Sequence, residues 1–459
     1  MQCGYPRFFV HPIIQKLVLE VLRRHGNPDV ETATAFPSVK TARVCSAFLL
    51  QRSPPEVHFK IRLVNFVPSS HAATTTAVTP RLSCIIYPKE FWPIVKQVWM
   101  HTGNGISSRC AEFCLGALED GFLVKEGKND GTPSSQRFCK GPRRYRARET
   151  GATNHASTTE DGREYAQFIE ERFGRNLSTS LADKAKLAVR RRISGVLTAD
   201  VELNEALEKS SSPPSEGRMA GLTEDDVFLF PTGMSAIFTT HQILTAARGP
   251  MKSICFGFPY VDTLKILQKW GPGCVFYGHG SSNDLDNLES RLVQGERFLA
   301  LFTELPGNPL LKSPDLKRVR SLADKYDFAV VVDETVGNFL NVNVLLYADV
   351  VVSSLTKIFS GDSNVMAGSA VINPRGRLYE PLRKNFALEY EDNLWAEDAV
   401  FLERNSRDFV SRIEKINVTA EATTALLKQT PLGKLGPSPL WLDRWILTEN
   451  SERGLLSKV

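Results

Sequence analysis

Two stretches decide the fold: Phe328-Ala-Val-Val-Val-Asp-Glu-Thr335 and, a little further along, Val350-Val-Val-Ser-Ser-Leu-Thr-Lys357. Each starts as a short, continuously apolar run and ends in polar residues. A strand that is apolar at every position is typical of a parallel sheet covered on both faces. Ligands of such sheets bind beyond the carboxyl ends of the strands. The polar residues that follow these two strands are therefore candidates for a binding site.

The same pattern repeats upstream. Apolar strands are predicted at residues 228–230, 253–256, 274–277 and 298–302, and helices at 233–246, 262–270, 284–292 and 313–326. Strands that alternate with helices predict an α/β domain built on a parallel sheet. The chain before this domain has helical periodicity at 12–24, 89–101 and 108–118 and a strand-like run at 82–87, which predicts a smaller region of mixed α/β structure.

The stretch between these regions has a different composition. Residues 126–162 are rich in Asn, Gly, Ser, Thr and Pro and contain a basic cluster at Lys140, Arg143, Arg144, Arg146 and Arg148. A basic cluster can mark a nucleic-acid site, but no aromatic residues are interleaved with it. A solvated linker is the better interpretation.

The overall composition is that of an ordinary globular protein and argues against several kinds of partner. The net charge of +5 over 459 residues makes no case for nucleic acid or an anionic membrane as partner. No apolar run is long enough to span a bilayer, and the N-terminus lacks the pattern of a signal peptide. The eight cysteines are scattered without the spacing of a metal site. We therefore expect reduced thiols, no bound metal and a cytoplasmic location.

Four of the predicted strands end in residues that can carry chemistry. Pro231-Thr-Gly-Met-Ser-Ala236 is a glycine turn that opens a helix, and the free N–H groups of a helix start can bind an anion. The other strand ends read Glu304-Leu-Pro-Gly-Asn-Pro309, Asp333-Glu-Thr335 and Ser354-Leu-Thr-Lys357. Taken singly, Asp333 could be a helix cap and Lys357 a surface lysine.

Together, these motifs resemble the cysteine/methionine-metabolism (transsulfuration) family of fold-type I pyridoxal-phosphate enzymes. The family's Ser-x-Thr-Lys, Val-Val-Asp-Asn/Glu-Thr, Gly-Met-x-Ala-Ile and Glu-x-Pro-x-Asn-Pro motifs all occur here in order, and Asp333 precedes Lys357 by 357 − 333 = 24 positions, as in the family. The combination is most similar to the fungal cystathionine γ-synthase-like branch. The resemblance implies a mostly parallel seven-stranded sheet between helices.

The resemblance also assigns roles. Lys357 would bind the aldehyde of pyridoxal phosphate covalently and move protons, which requires an amine able to lose its proton. Asp333 would pair with the pyridine nitrogen and keep it protonated. The N–H groups of Gly233 and Met234 and the hydroxyls of Ser354 and Thr356 would bind the phosphate, and Asn308 would bind the phenolic oxygen.

Two further motifs match imperfectly. Tyr260-Val-Asp-Thr263 keeps the tyrosine and threonine of the family's Tyr-Gly-Gly-Thr but lacks its glycines. Tyr260 would stack on the cofactor ring and is a second catalytic candidate. Phe173-Gly-Arg175-Asn176 keeps the arginine of Tyr-x-Arg, which in the family grips the phosphate of a neighbouring subunit. The resemblance therefore implies a homo-oligomer, a dimer of dimers, with Arg175 at a contact between subunits.

The resemblance sets the expected domains and activity. We expect an N-terminal region at 1–125, a linker at 126–162, a large cofactor-binding domain at 163–385 and a shortened C-terminal domain at 386–459. No arginine stands out for the substrate carboxylate. The expected reaction is γ-replacement on an O-acyl-homoserine with cysteine, so the partners are small amino-acid substrates. The alternatives are direct sulfhydrylation, cystathionine cleavage, or a catalytically silent relative that binds the cofactor.

Overall fold

A computed structural model describes residues 9–54, 56, 59–69, 81–127, 181–208 and 218–429. These residues form two compact units. The first unit comprises the described residues within Met1–Lys96, Gly105–Asp183 and Trp395–Val400. The second unit comprises the described residues within Gln97–Asn104, Lys184–Leu394 and Phe401–Val459. Each unit therefore includes a short segment whose chain neighbours belong to the other.

The first unit is built on a four-stranded antiparallel sheet. Its strands are β1 (Glu31–Phe36), β2 (Arg62–Pro68), β3 (Leu82–Pro88) and β4 (Leu123–Lys125), in the order β1-β3-β2-β4. The helices of this part of the chain are α1 (Pro12–His25), α2 (Val39–Arg52), α3 (Trp92–Thr102) and α4 (Ser108–Glu119). From Gln97 onward, α3 belongs to the second unit.

The core of the first unit lies between its sheet and α1 and α4. Leu17 and Val21 of α1 pack with Phe66 of β2, Ile86 of β3 and Cys114 of α4, and all five are buried. Serine side chains begin two of the helices, because Ser38 caps α2 and Ser107 caps α4 by accepting backbone N–H groups. The predicted helices and the strand at 82–87 are confirmed, whereas β1, α2, β2 and β4 were not predicted.

The second unit contains a seven-stranded sheet. Its strands are β5 (Val227–Phe230), β6 (Ser253–Phe256), β7 (Cys274–Tyr277), β8 (Ala300–Glu304), β9 (Ala329–Asp333), β10 (Val350–Ser353) and β11 (Gly368–Ile372). The order is β5-β11-β10-β9-β8-β6-β7. β11 runs antiparallel to both of its neighbours, and the remaining pairs are parallel. The predicted mostly parallel sheet is confirmed.

Helices alternate with these strands along the chain. After residue 181 they are α5 (Ala182–Ser194), α6 (Leu203–Glu208), α7 (Gly233–Arg248), α8 (Val261–Lys269), α9 (Ser282–Val293), α10 (Leu316–Tyr326), α11 (Asn338–Asn341), α12 (Tyr379–Glu389), α13 (Ala396–Asn405) and α14 (Phe409–Gln429). Every residue of β6 and β11 is buried, as expected for a sheet covered on both faces. Within the described ranges, no helix is both long and apolar enough to cross a membrane.

Candidate functional site

The candidate site lies at the carboxyl edge of the parallel strands. The strand register sets Asp333 at the end of β9 beside Glu304 of β8 on one side and beside Val352 of β10 on the other. The turn that leaves β10 carries Lys357, whose N–H donates to the carbonyl of Ser354 over 3.3 Å. The lysine side chain itself is exposed. The register thus places the predicted acid on the strand next to the one that leads to the predicted lysine.

The start of α7 offers two backbone donors. Thr232 caps the helix, and its Oγ1 accepts the N–H of Ser235 over 3.0 Å while Ser235 Oγ accepts the N–H of Thr232 over 3.0 Å. Within the part of the chain that the structure describes, the N–H groups of Gly233 and Met234 find no acceptor. Donors in the first turn of a helix have no partner inside the helix and favour an anion.

Gly233 lies against the turn that carries the lysine. A Cβ atom on Gly233 would stand only 2.8 Å from Ser354 Cβ and 3.0 Å from Ser354 Cα. Only glycine therefore fits at this position without moving the turn. This close approach brings the helix start and Ser354 together, while the binding of a phosphate there stays a prediction.

Thr356 is arranged differently from the prediction. Its hydroxyl donates to the carbonyl of Ala367 over 3.2 Å and accepts the N–H of Ala367 over 3.1 Å. A hydroxyl has one proton, and here that proton is used within the chain. Thr356 thus braces the lysine turn against the residue that precedes β11, whereas the sequence assigned it a phosphate contact.

Two half-buried carboxyl groups stand side by side at this edge. Asp333 accepts the N–H of Thr335 over 2.9 Å, and burial raises the pKa of its carboxyl group. Burial also raises the pKa of Glu304 to about 7, with the neighbouring Asp333 as the second cause. Desolvation disfavours the charged form of an acid, and a nearby positive group relieves that cost. The edge is therefore suited to a ligand that brings a cation to Asp333.

Glu304 connects two of the predicted cofactor contacts. Its carboxylate accepts the N–H of Tyr260 over 2.6 Å and the N–H of Asn308 over 3.5 Å. Tyr260, half-buried, stands at the N-cap of α8, and Asn308 is exposed in the loop after β8. No role was predicted for Glu304, although it lies within a quoted motif. Its position as an acid at the end of a buried strand is the signal that could have indicated a supporting role.

A cavity lies beside the two acids. It is small and is lined by residues from six segments of the second unit, namely Ile237, Pro259, Thr263, Phe302, Thr303, Glu304, Val331, Asp333 and Val352. The hydroxyl oxygens of Thr263 and Thr303 are buried there, and the described residues give them no hydrogen-bond partner. Buried hydroxyls without partners are costly, so a polar ligand or water at this edge would stabilise them.

A buried ion pair supports the loop that follows Asp333. Arg218 pairs with Glu334 where both side chains are almost fully buried, and its guanidinium lies 5.1 Å from the centre of the Phe339 ring. Arg218 also donates to the carbonyl of Ile193 over 3.3 Å. Because Arg218 and Glu334 are 116 positions apart, sequence patterns did not reveal this pair.

Arg175, the predicted contact to a neighbouring subunit, lies outside the described residues. The remaining predicted residues, namely Lys357, Asp333, Gly233, Met234, Ser354, Thr356, Asn308 and Tyr260, all lie in the second unit. Asp333 is the last residue of β9, and the others stand on the segments that follow β5, β6, β8 and β10.

Comparison with known proteins gives matches over both parts of the chain. Residues 13–107 match the family described as fungal trans-sulfuration enzyme, N-terminal domain, and residues 215–434 match the family described as Cys/Met metabolism PLP-dependent enzyme. A cystathionine gamma-synthase of Neurospora crassa is 47% identical, over 95% of this chain and 75% of that protein.

Two further relatives cover a similar share. A cystathionine gamma-synthase-like enzyme of Amanita muscaria, iboG2, is 38% identical over 98% of this chain and 74% of that protein. A cystathionine gamma-synthase of Saccharomyces cerevisiae is 36% identical over 94% of this chain and 75% of that protein.

Proposed function

The chain belongs to the Cys/Met metabolism PLP-dependent enzymes, and from this premise we propose that it catalyses the cystathionine γ-synthase reaction. In that reaction the sulfur of cysteine forms a bond to the γ-carbon of an O-acyl-homoserine, the γ-carbon–oxygen bond breaks, and the acyl group leaves as a carboxylic acid. The observation that carries the proposal is the register that sets Asp333 between Glu304 and Val352, next to the strand that leads to Lys357.

Pyridoxal phosphate fits the donors and acceptors of this edge. The N–H groups of Gly233 and Met234 would hold its phosphate together with Ser354, and Asp333 would hold a proton on its ring nitrogen. Lys357 Nζ would bond to its aldehyde carbon. The raised pKa of Asp333 supports this assignment, because a protonated ring nitrogen brings the positive charge that a buried carboxylate needs. When bound, the cofactor withdraws electrons from the α-carbon of an attached amino acid.

Residues of the chain would transfer the protons and hold the cofactor in place. Lys357 Nζ, released when substrate is attached, would take the proton from the α-carbon and return protons to neighbouring carbons. The aromatic ring of Tyr260 would cover one face of the cofactor, and Asn308 would donate to its phenolic oxygen. Glu304 supports both by holding their backbone N–H groups.

Product analysis tests the proposal. Purified protein loaded with pyridoxal phosphate is given O-acetyl- or O-succinyl-homoserine with cysteine, the same esters with sulfide, or cystathionine alone, and products are identified by mass spectrometry. We expect cystathionine from an ester and cysteine. Homocysteine from sulfide as the dominant product, or cleavage of cystathionine alone, would assign one of the alternative reactions. Absence of turnover with every substrate by protein that binds the cofactor would identify a silent relative.

We also propose a homo-oligomer and a cytoplasmic location. The oligomer is supported by the resemblance of the Arg175 motif to an intersubunit contact and by exposed apolar side chains on α14, where Val418 is 68% and Leu426 is 64% exposed. The cytoplasmic location is supported by the cysteines, since the six within the described residues are free thiols.

A further inference from the structure

The segment Gln97–Asn104 occupies a position that its place in the sequence does not suggest. It lies within the match to the N-terminal family domain, residues 13–107, yet it belongs to the second unit together with the candidate site. It contains the end of α3 and the following residues Gly103 and Asn104. We call it the bracing segment.

The bracing segment meets the first turn of α7. The hydroxyl of Thr232, the capping residue of α7, donates to the carbonyl of Gly103 over 3.2 Å. The same hydroxyl accepts the N–H of Ser235 over 3.0 Å. Because its only proton points to Gly103, a lone pair is left to face Ser235. The carbonyl of Gly103 therefore sets the orientation of the cap.

No other residue fits at position 103. Gly103 has φ of +60°, and a Cβ atom there would stand 2.1 Å from Thr232 Oγ1, 2.9 Å from Met234 Cβ and 2.9 Å from the backbone nitrogen of Ser235. Two of these neighbours are backbone or Cβ atoms, which cannot move unless the helix start moves. A side chain at 103 would displace the turn whose N–H groups, at Gly233 and Met234, face the candidate phosphate position.

The other end of the bracing segment is fixed as well. Gln97 Oε1 accepts a hydrogen bond from Lys269 Nζ of α8 over 2.6 Å. α8 is the helix whose N-cap is Tyr260. The segment thus ties α7, which opens with the candidate phosphate donors, to α8, which opens with the residue predicted to cover the cofactor ring.

We propose that the bracing segment is part of the cofactor-phosphate site and that Gly103 is a positioning residue for the N–H groups of Gly233 and Met234. The proposal rests on the proposed use of pyridoxal phosphate. In this proposal, the end of the N-terminal family domain strengthens the binding of the cofactor's phosphate monoester to the chain.

Binding measurements on the full chain test this. Apoprotein is titrated with pyridoxal phosphate and, separately, with pyridoxal, which has the same ring and aldehyde but no phosphate. Gly103→Ala should weaken binding of pyridoxal phosphate by about tenfold or more, the scale of one lost charge-assisted hydrogen bond, and leave binding of pyridoxal unchanged. Equal losses for both ligands would mean general damage to the site and would overturn the proposal.

Gly121→Ala is the matched control. Gly121 also has a positive φ, +71°, but a Cβ atom there would meet nothing within 4 Å. It carries the same backbone strain without the collision, so its affinity for pyridoxal phosphate should equal that of the wild type. If Gly103→Ala behaves like Gly121→Ala, the positioning role is wrong.

A second variant decides the matter if Gly103→Ala does not fold. Gln97→Ala removes the hydrogen bond to Lys269 at the far end and should weaken pyridoxal phosphate binding a few-fold, again without affecting pyridoxal. If Gly103→Ala does not fold and Gln97→Ala binds pyridoxal phosphate as tightly as the wild type, the proposal is wrong. If the wild type itself binds pyridoxal phosphate no better than pyridoxal, the proposed function fails first, which separates the two hypotheses.

Discussion

Glu304 holds the backbone N–H of Tyr260 at 2.6 Å, and this bond joins the end of β8 to the start of α8. The acceptor is a half-buried carboxylate that stands beside Asp333 in the strand register. One acidic residue thereby supports a predicted ring contact and shares the electrostatic environment of the predicted partner of the ring nitrogen. Both consequences can be measured.

Glu304 should make the stability of the cofactor-free protein depend on pH. Its folded-state pKa of about 7 lies above the ordinary 4.5, so ionisation favours unfolding. Its contribution to stability is complete below the lower value and is lost as the pH rises toward the higher one. Wild-type protein should lose up to about 3 kcal/mol from this group across that window. Urea unfolding of Glu304→Gln should show a flatter dependence, while Glu380→Gln, at an exposed position, should follow the wild type. Equal pH dependence in all three proteins would contradict the assignment.

Lys357→Ala should abolish the covalent link to the cofactor and all turnover, because it removes the amine on the turn that leaves β10. Borohydride reduction followed by peptide mapping should place the pyridoxyl group on Lys357 in the wild type and nowhere in the variant. Lys317→Ala, at an exposed position on α10, serves as the control and should remain labelled and active. A label found on a different lysine of the wild type would refute the central assignment.

Asp333→Asn should keep the cofactor bound but slow the reaction, since a neutral amide does not keep the ring nitrogen protonated. An amide oxygen can still accept the N–H of Thr335, so the loop should persist. Loss of a buried charge partner corresponds to roughly 3–5 kcal/mol, or a rate reduced on the order of a hundredfold or more. The measurement is kcat under saturating cofactor, with cofactor content determined by absorbance. A variant with wild-type kcat would remove Asp333 from the mechanism.

Gly233→Ala should weaken cofactor binding, because the new Cβ atom would press on Ser354 at 2.8 Å and separate the lysine turn from α7. The control lies at the other end of the same helix. Gly249 has a positive φ of +84° and open space around it, so Gly249→Ala should cost about 1 kcal/mol of stability but leave the affinity unchanged. Fluorescence titration of the two apoproteins with pyridoxal phosphate compares them. Equal affinities would show that the close approach to Ser354 is not needed for binding.

Arg175→Ala should weaken both cofactor binding and assembly, if the arginine grips the phosphate of a neighbouring subunit. The lost contact corresponds to roughly 1.5–3 kcal/mol, and ligands that bind only the assembled form stabilise it by mass action. Sedimentation of wild type and variant, each with and without pyridoxal phosphate, measures the coupling. A wild-type monomer that binds the cofactor tightly would end the intersubunit role.

The sequence predicted the second unit better than the first for a physical reason. β9 and β10 are continuous runs of valine, which leave little doubt about a buried strand. β1 reads Glu-Thr-Ala-Thr-Ala-Phe, in which small and hydroxyl-bearing residues hide a strand whose last four residues are buried. β11 begins with Gly-Ser and is likewise hard to recognise, although all of it is buried.

The candidate site likewise has a part that the sequence predicted and a part that it did not. Motifs of neighbouring residues predicted which side chains follow the strands, because local sequence determines where a strand ends. The support around them depends on distant pairs, such as Arg218 with Glu334, 116 positions apart, and Gly103 with Thr232, 129 positions apart. Even within a motif, the sequence did not predict the partner of the Thr356 hydroxyl, which is hydrogen-bonded to the backbone of Ala367.

The two units also exchange short segments, and this has a consequence for recombining the protein with its relatives. Trp395–Val400 belongs to the first unit, where Arg109 pairs with Asp398 at 2.8 Å and the rings of Phe113 and Trp395 lie 5.2 Å apart. A chimaera joined at a single point between the two family domains would inherit the bracing segment from one parent and the helix it supports from the other. Crossovers that keep Gln97–Asn104 with the large sheet and Trp395–Val400 with the small one take both partners of each of these contacts from the same parent.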